Sequence, residues 1–223
     1  MIRPWDAHSV RMFTGLPRAV ALACRRLDVL PGRRVLVVSV LEQAMEVWDR
    51  RPDHPDAADR HGYQLAKRLL ISTSRFGIGQ REGSNRTPLG LHRIARKVGE
   101  GWPPGAVWKH RRLQGWTWQG LPGAPIAHRI LWLEGLEPGL NQGPGIDSFR
   151  RYIYIHGIGN ERTLGRPASH GCIHLAAKEL IPLADRTPIG TLVWIAAGPS
   201  VSALPGMPLA AENRRRHFGL GLL

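Results

Sequence analysis

Cys172 stands among residues able to work on a thiol. His170 and Gly171 precede it, Ile173 and His174 follow it, and Ala168-Ser169 lead into the run. Upstream, Ile155-His156-Gly157 closes an apolar stretch. An unperturbed cysteine has a pKa of about 8.5, so little of it is thiolate at neutral pH. A catalytic thiol therefore needs a base within hydrogen-bond reach, and N–H donors for the oxyanion that develops on attack. His156 directly follows a strand-like stretch, a rigid place from which to aim a base, and His170 lies two residues before the thiol. Leu175 to Ala184 has helical spacing, so a helix is expected to begin just after Cys172, where its N-terminus would favour the thiolate. Gly171 lets the backbone approach closely and offers an unobstructed N–H. The spacing leaves two other readings open. A lone cysteine can be a buried small apolar residue, and His156, His170, Cys172 and His174 together make four ligands of a kind zinc accepts.

The elements that must position these residues are mostly strands. Val35–Val40 reads as a buried strand with Ala44–Trp48 as its hairpin partner. Tyr63–Thr73, Leu91–Val98, Ile126–Leu133, Tyr152–Ile155 and Thr191–Ala196 follow as strands, although the Ala66–Leu70 centre of the first of these is also compatible with a helix. The expected helices are Arg18–Leu30, stopped by Pro31-Gly32, and Leu175–Ala184, which Pro182 should kink or shorten. Arg50–Gly62 is polar and proline-broken, hence a loop, and residues 99–125 form an irregular or hairpin excursion rich in tryptophan. Residues 1–32 read as an N-terminal extension, 33–197 as the catalytic domain and 198–223, including the solvated run Glu212–His217, as a C-terminal tail. A mainly-β domain results.

Composition narrows the partners. The 223 residues carry a net charge of +14, with 31 basic side chains of which only Lys67, Lys97, Lys109 and Lys178 are lysines. That balance favours anionic partners, whether nucleic acid, acidic lipid or wall polymer. Two cysteines, Cys24 and Cys172, make neither a disulfide framework nor a zinc-finger spacing. Cys24, beside Arg25 and Arg26 but with no histidine next to it, reads as structural. No apolar run is long enough for a membrane span, and Ala19–Cys24 is too short for a secretory core. Trp102, Trp108, Trp116 and Trp118 interleave with Lys109, Arg111 and Arg112. They fit base or glycan stacking, a lid, or most simply the hydrophobic anchoring of an insertion.

His156-Gly157 followed by Ser169-His170-Gly171-Cys172-Ile173 resembles the signature of the L,D-transpeptidase catalytic domain of bacterial cell-wall enzymes. Ser72-Thr73, Gly77, Thr87-Pro88-Leu89-Gly90, Arg151–Ile155, Leu164–Ala168 and Pro188-Ile189-Gly190 match similar pieces of that family, so the resemblance runs from about Arg33 to Ala196. It implies an L,D-transpeptidase-like mixed β-sandwich with one or two short helices and a cleft beneath a lid. It implies acyl transfer on peptidoglycan stem peptides without cofactor or metal: Cys172 attacks with loss of terminal D-alanine, and the thioester passes to an acceptor amine. His156 corresponds to the base, the Gly157 carbonyl to its orienting group, and the N–H groups of His170, Gly171 and Cys172 to the oxyanion hole. Ser169 braces the motif and, with His174, Arg166 and Tyr154, borders the substrate. The family commonly has Arg or Asn at the position of His174, and Arg150, Arg151 and Arg166 are near enough in sequence to supply the missing charge. The same site fits a hydrolase in which water replaces the amine, and a non-catalytic wall-binding domain is the alternative of another class. The resemblance places the protein in the periplasm or cell envelope, without nucleic acid or stable membrane insertion, and sets no oligomeric state.

Overall fold

The computed structural model describes residues 13–51 and 62–199. Most of the polar loop between Arg50 and Gly62, the first twelve residues and the tail with Glu212–His217 lie outside them. Ten strands and two α-helices occur in the order α1 (Arg18–Arg26), β1 (Arg34–Ser39), β2 (Ala44–Arg50), β3 (Tyr63–Ser72), β4 (Gly90–Val98), β5 (Ala106–Lys109), β6 (Arg112–Trp116), β7 (Ala127–Gly135), β8 (Tyr154–Gly157), β9 (Ile173–Leu175), α2 (Ala177–Arg186) and β10 (Leu192–Ala196).

Hydrogen bonding runs β4-β10-β1-β2-β3-β9-β8-β7, and β4 also pairs with β7, so the ladder closes on itself. β1–β10 and β8–β9 are parallel and the other pairs antiparallel, which makes the sheet mixed. The β5–β6 hairpin hangs from β7. Closure explains the core. Leu36 and Val38 of β1, Met45 and Val47 of β2, Leu69 and Ile71 of β3, Ile94 of β4, Leu131 and Leu133 of β7, Ile155 of β8, Ile173 and Leu175 of β9 and Val193 and Ile195 of β10 meet inside it. Every second residue points there, as the two-residue period of a strand requires.

The continuous apolar run of β1 has a second cause. Val35 and Val37 face the other way and are covered by Val20, Ala23 and Cys24 of α1, with Phe13 and Leu16 before it. A strand buried on both faces loses its polar alternation. The segment read as an extension is therefore packed from Phe13 onward against the strands. Cys24 is fully buried there, and burial pushes its thiol up to about 12, so its arginine neighbours do not activate it. α1 ends at Arg26, before the expected Pro31-Gly32. Asp28 turns left-handed (φ 52°), the Val29 N–H bonds to the Cys24 carbonyl at 3.0 Å and that of Asp28 to Arg25 at 3.3 Å. That pair of bonds closes the helix without needing the proline.

Two further expectations change. The Ala66–Leu70 stretch is strand throughout, because β2 pairs with it along its length across a bulge at Val47/Trp48. No helix begins directly after Cys172. Ile173–Leu175 form β9 between β3 and β8, and α2 begins only at Ala177. Leu175, counted in the helical pattern, alternates with Ile173 into the core. The buried helical positions are Leu180, Leu183 and Ala184, and Pro182 lies within the helix without ending it.

Candidate active site

The register of β8 against β9 assembles the site. Ile155 pairs with Ile173 and His156 with His174 in a parallel ladder. Because Ile155 and Ile173 point into the core, Tyr154, His156, Cys172 and His174 share the opposite, outer face. There Cys172 packs against a cluster that includes Trp132 of β7, Tyr154 and Trp108 of the β5–β6 hairpin. The hairpin thus roofs the face that carries the thiol.

His156 is buried, and its Nδ1 lies 2.8 Å from the Gly157 carbonyl. A carbonyl only accepts, so Nδ1 carries the proton and Nε2 keeps its lone pair. Burial holds this imidazole down at about 4, only partly offset by the Gly157 bond. The Cys172 sulfur contacts the Tyr152 carbonyl at 3.4 Å, an acceptor that suits an S–H. Burial raises the thiol to about 11, with the Tyr154 N–H and the Arg151 guanidinium opposing it. A neutral thiol therefore shares a face with a neutral imidazole. His174 stacks edge-on to His156 with ring centroids 4.8 Å apart, and its buried Nδ1 has no hydrogen-bond partner among the described residues. Burial, then the neighbouring His156 and His170, hold it near 3.

The loop bearing Cys172 is clamped from several sides. Ser169, almost fully buried, donates to the Cys172 carbonyl at 2.6 Å and accepts from the Gly171 N–H at 3.2 Å. Thr87 donates to the Gly171 carbonyl at 3.1 Å. The Ala168 and Ser169 N–H groups both bond to the Thr73 carbonyl at 2.9 Å. Thr73 is itself gripped by buried Gln43, through its N–H at 2.8 Å and its hydroxyl at 2.7 Å. Gly171 adopts φ 119°, and a Cβ there would meet the Arg86 carbonyl at 3.3 Å. Only glycine fits that conformation without strain.

The remaining expected residues divide. Tyr154 is at the site, its hydroxyl 3.2 Å from Arg111 Nη1. His170 is exposed, and its Nε2 meets Arg75 at 2.8 Å with the Phe76 ring 5.5 Å away. Arginine can only donate, so that nitrogen of His170 is engaged as an acceptor. Ser169 spends its hydroxyl within the loop rather than toward a substrate. Arg166 is exposed, and its backbone carbonyl, with that of Thr163, receives the Ser72 hydroxyl. Arg151 reaches the carbonyls of Gly79 (3.2 Å), Gln80 (2.9 Å) and Arg86 (2.6 Å), fixing the loop beside the motif. Among the described residues no group of three or more His, Cys, Asp or Glu side chains is placed to hold a metal ion. The four-ligand zinc arrangement left open by the spacing is not formed.

Sequence reading missed the aromatic floor of the site and the cation on it. Trp132 stacks on Phe149 at 4.0 Å and meets Tyr154 edge-on at 5.5 Å. The Arg111 guanidinium lies 4.8 Å from the Trp132 ring and 5.1 Å from that of Tyr152. Arg111 comes from the two-residue turn of the β5–β6 hairpin, where it and His110 both have positive φ (64° and 50°). Such turns favour Asn-Gly, and a side chain in the left-handed region costs about 1 kcal/mol. Trp102, Trp108, Trp116 and Trp118 pack on one another at the base of the same hairpin and anchor it. The interleaving of Trp with Arg was the available signal; its simplest reading, hydrophobic anchoring, accounts for the tryptophans but not for the place of Arg111.

The model of the L,D-transpeptidase catalytic domain (YkuD) matches residues 34–195, most of the chain. The chain belongs to the L,D-transpeptidase catalytic-domain family. The match begins at β1 and ends within β10, so α1 lies before it. No match was found among curated proteins. Similar solved structures include Bd1075 of Bdellovibrio bacteriovorus (15% identity, TM-score 0.45, 75% of this chain and 49% of that one). An L,D-transpeptidase from Mycobacterium smegmatis (13%, 0.44, 76% and 61%) and one from Xylanimonas cellulosilytica (16%, 0.39, 79% and 69%) are others. The chain spans about half of the first and about three-fifths of the second of these chains. Among the described residues of this L,D-transpeptidase-family protein, no helix is long and apolar enough to cross a membrane.

Proposed function

We propose that this protein is a cysteine-dependent acyltransferase of the cell envelope acting on peptidoglycan stem peptides, with residues 33–197 as its catalytic unit. The observation that carries the reading is the shared face of β8 and β9. It supports a Cys172 served by His156, whose Nδ1 is tied to the Gly157 carbonyl, which leaves Nε2 to take a proton. The family match supports the substrate class.

In this mechanism the Cys172 sulfur attacks the carbonyl that precedes the terminal D-alanine of a donor stem while its proton passes to His156 Nε2. A C–S bond forms and the C–O π electrons move onto oxygen, where backbone N–H groups of the 170–172 loop receive the charge. Since Ser169 already takes the Gly171 N–H, His170 and Cys172 are the donors assigned here. Collapse breaks the C–N bond, and D-alanine leaves with the proton returned from His156. An acceptor amine then attacks the thioester, His156 takes its proton, and the thiol is released and reprotonated. The unpartnered Nδ1 of His174 is assigned to a polar group of the bound stem.

The test is mass spectrometry of products from disaccharide-tetrapeptide, alone and with a free D-amino acid, against Cys172→Ala. Cross-linked dimers or exchanged D-amino acid seen only with the unaltered protein are expected. Loss of D-alanine without a new amide bond makes the protein a hydrolase using the same site. Identical products with Cys172→Ala, or none with either, refute the acyltransferase reading.

A further inference from the structure

The roof of the site holds a cation without a counter-ion. Arg111 is half-buried and lies over the faces of Trp132 and Tyr152. Among the described residues no carboxylate pairs with it. Its one hydrogen bond, from Nη1 to the Tyr154 hydroxyl, leaves the rest of the guanidinium fork unspent. Arg96, over Trp132 and Phe149, likewise lacks a carboxylate among the described residues. Arg151, the other cation beside the thiol, commits both its Nη1 and Nη2 to three backbone carbonyls. Arg111 is also held where the chain resists it, in a left-handed turn position that glycine would occupy more easily.

Tyr152 relates this cation to the nucleophile. The Tyr152 carbonyl contacts the Cys172 sulfur at 3.4 Å while Arg111 lies 5.1 Å from the Tyr152 ring, and the Tyr154 hydroxyl meets Arg111. Sulfur and guanidinium thus lie against the carbonyl and the ring of one tyrosine residue. A peptide whose scissile carbonyl sits at Cys172 carries its next backbone carbonyl group one residue onward, ~3.8 Å along the chain. In a stem ending with the leaving residue, that group is the terminal carboxylate. An arginine fork is the side chain best shaped to take a carboxylate through two parallel bonds. His174, two residues after the cysteine, is kept neutral by burial, so the unspent fixed charge above the thiol comes from the hairpin.

Resting on the acyl-transfer reading above, we infer that Arg111 is the specificity residue of the site, binding the C-terminal carboxylate of the donor peptide and selecting donors that end one residue beyond the scissile bond. Donors whose terminus is neutral or displaced lose this contact.

Calorimetric titration of Cys172→Ala protein tests it without chemistry. The probes are the stem tetrapeptide and the same peptide ending in a carboxamide. Protein with Arg111 should bind the carboxylate form about 10- to 100-fold more tightly, the range for a hydrogen bond to a charged group. Arg111→Gly should abolish the preference without lowering the melting temperature, because glycine suits the turn, and Arg111→Lys should restore part of it. If Arg111→Gly does melt lower, Arg111→Gln carries the same comparison. A preference that survives removal of the guanidinium, or no preference in its presence, overturns the inference. Product formation by the protein with Cys172 intact separates the two readings. Turnover with no Arg111-dependent preference sinks this one alone, whereas an Arg111-dependent preference with no Cys172-dependent product sinks the acyltransferase alone.

Discussion

Alkylation of Cys172 across pH reports the resting protonation of the site. Burial pushes the thiol up to about 11 and the His156 imidazole down to about 4. Between those values the pair rests as thiol and neutral imidazole, and His156 acts as a base only as the sulfur attacks. At pH 7 the thiolate fraction is then about one in 10⁴, against a few per cent for an unperturbed thiol, a deficit of roughly 300-fold. A more basic thiolate is also more nucleophilic, and a Brønsted slope of about 0.45 over these 2.5 or so pH units returns roughly tenfold. Iodoacetamide should therefore modify Cys172 about 30-fold more slowly at pH 7 than it modifies a free thiol. The rate should rise about tenfold per pH unit without levelling off below about pH 10. Peptide mass spectrometry resolves Cys172 from fully buried Cys24. Fast alkylation at pH 7 that levels off near pH 6, and loses that plateau in His156→Ala, would show a thiolate–imidazolium pair and refute the argument from burial.

Other consequences can be measured on the same protein. Ser169→Ala removes two buried hydrogen bonds of the motif loop. At about 1 kcal/mol each, plus the cost of leaving a buried partner unsatisfied, it should lose about 2–3 kcal/mol and melt roughly 5–10 °C lower by calorimetry. An unchanged melting temperature would remove Ser169 as the brace. Gly171→Ala forces a side chain into φ 119° against the Arg86 carbonyl and should cost about 1–3 kcal/mol in urea titrations; a neutral effect would mean the loop relaxes freely. Stability should also fall on acidification. His92 and His156 stay neutral down to about 4 and His174 to about 3, while their unfolded counterparts protonate below about 6.5. In that window the unfolded state binds more protons, so each histidine withdraws up to about 1.4 kcal/mol per pH unit from about pH 6.5 down to its folded value. Urea midpoints at pH 7, 6 and 5 should drop progressively, and a flat profile would contradict the burial of these rings.

The sequence by itself pointed to the family, the candidate site and most of the strands. Ile153 and Ile155 face the core as a local two-residue period demands, so a strand ending at Ile155 was legible with the candidate base His156 just after it; pairing with β7 and β9 extends the strand through His156 to Gly157. The Ser169–Cys172 run marked the candidate nucleophile and its brace, because hydrogen bonds between residues two or three apart depend on little else. Tertiary structure decided how these pieces meet. The parallel pairing of β8 with β9 turned the segment after Cys172 into a strand rather than a helix, which removed the helix terminus as an activator of the thiol. Closure of β4 onto β7 and the covering β5–β6 hairpin buried His156 and left Cys172 and His174 half-buried, and that desolvation, a sum over sequence-distant neighbours, sets their protonation. Gln43, which holds Thr73 from thirty residues away, carries no local pattern that marks it, and the Trp–Arg interleaving that singled out Arg111 could not show that it lies against Tyr154, forty-three residues on, because both roles exist only where distant strands are packed together.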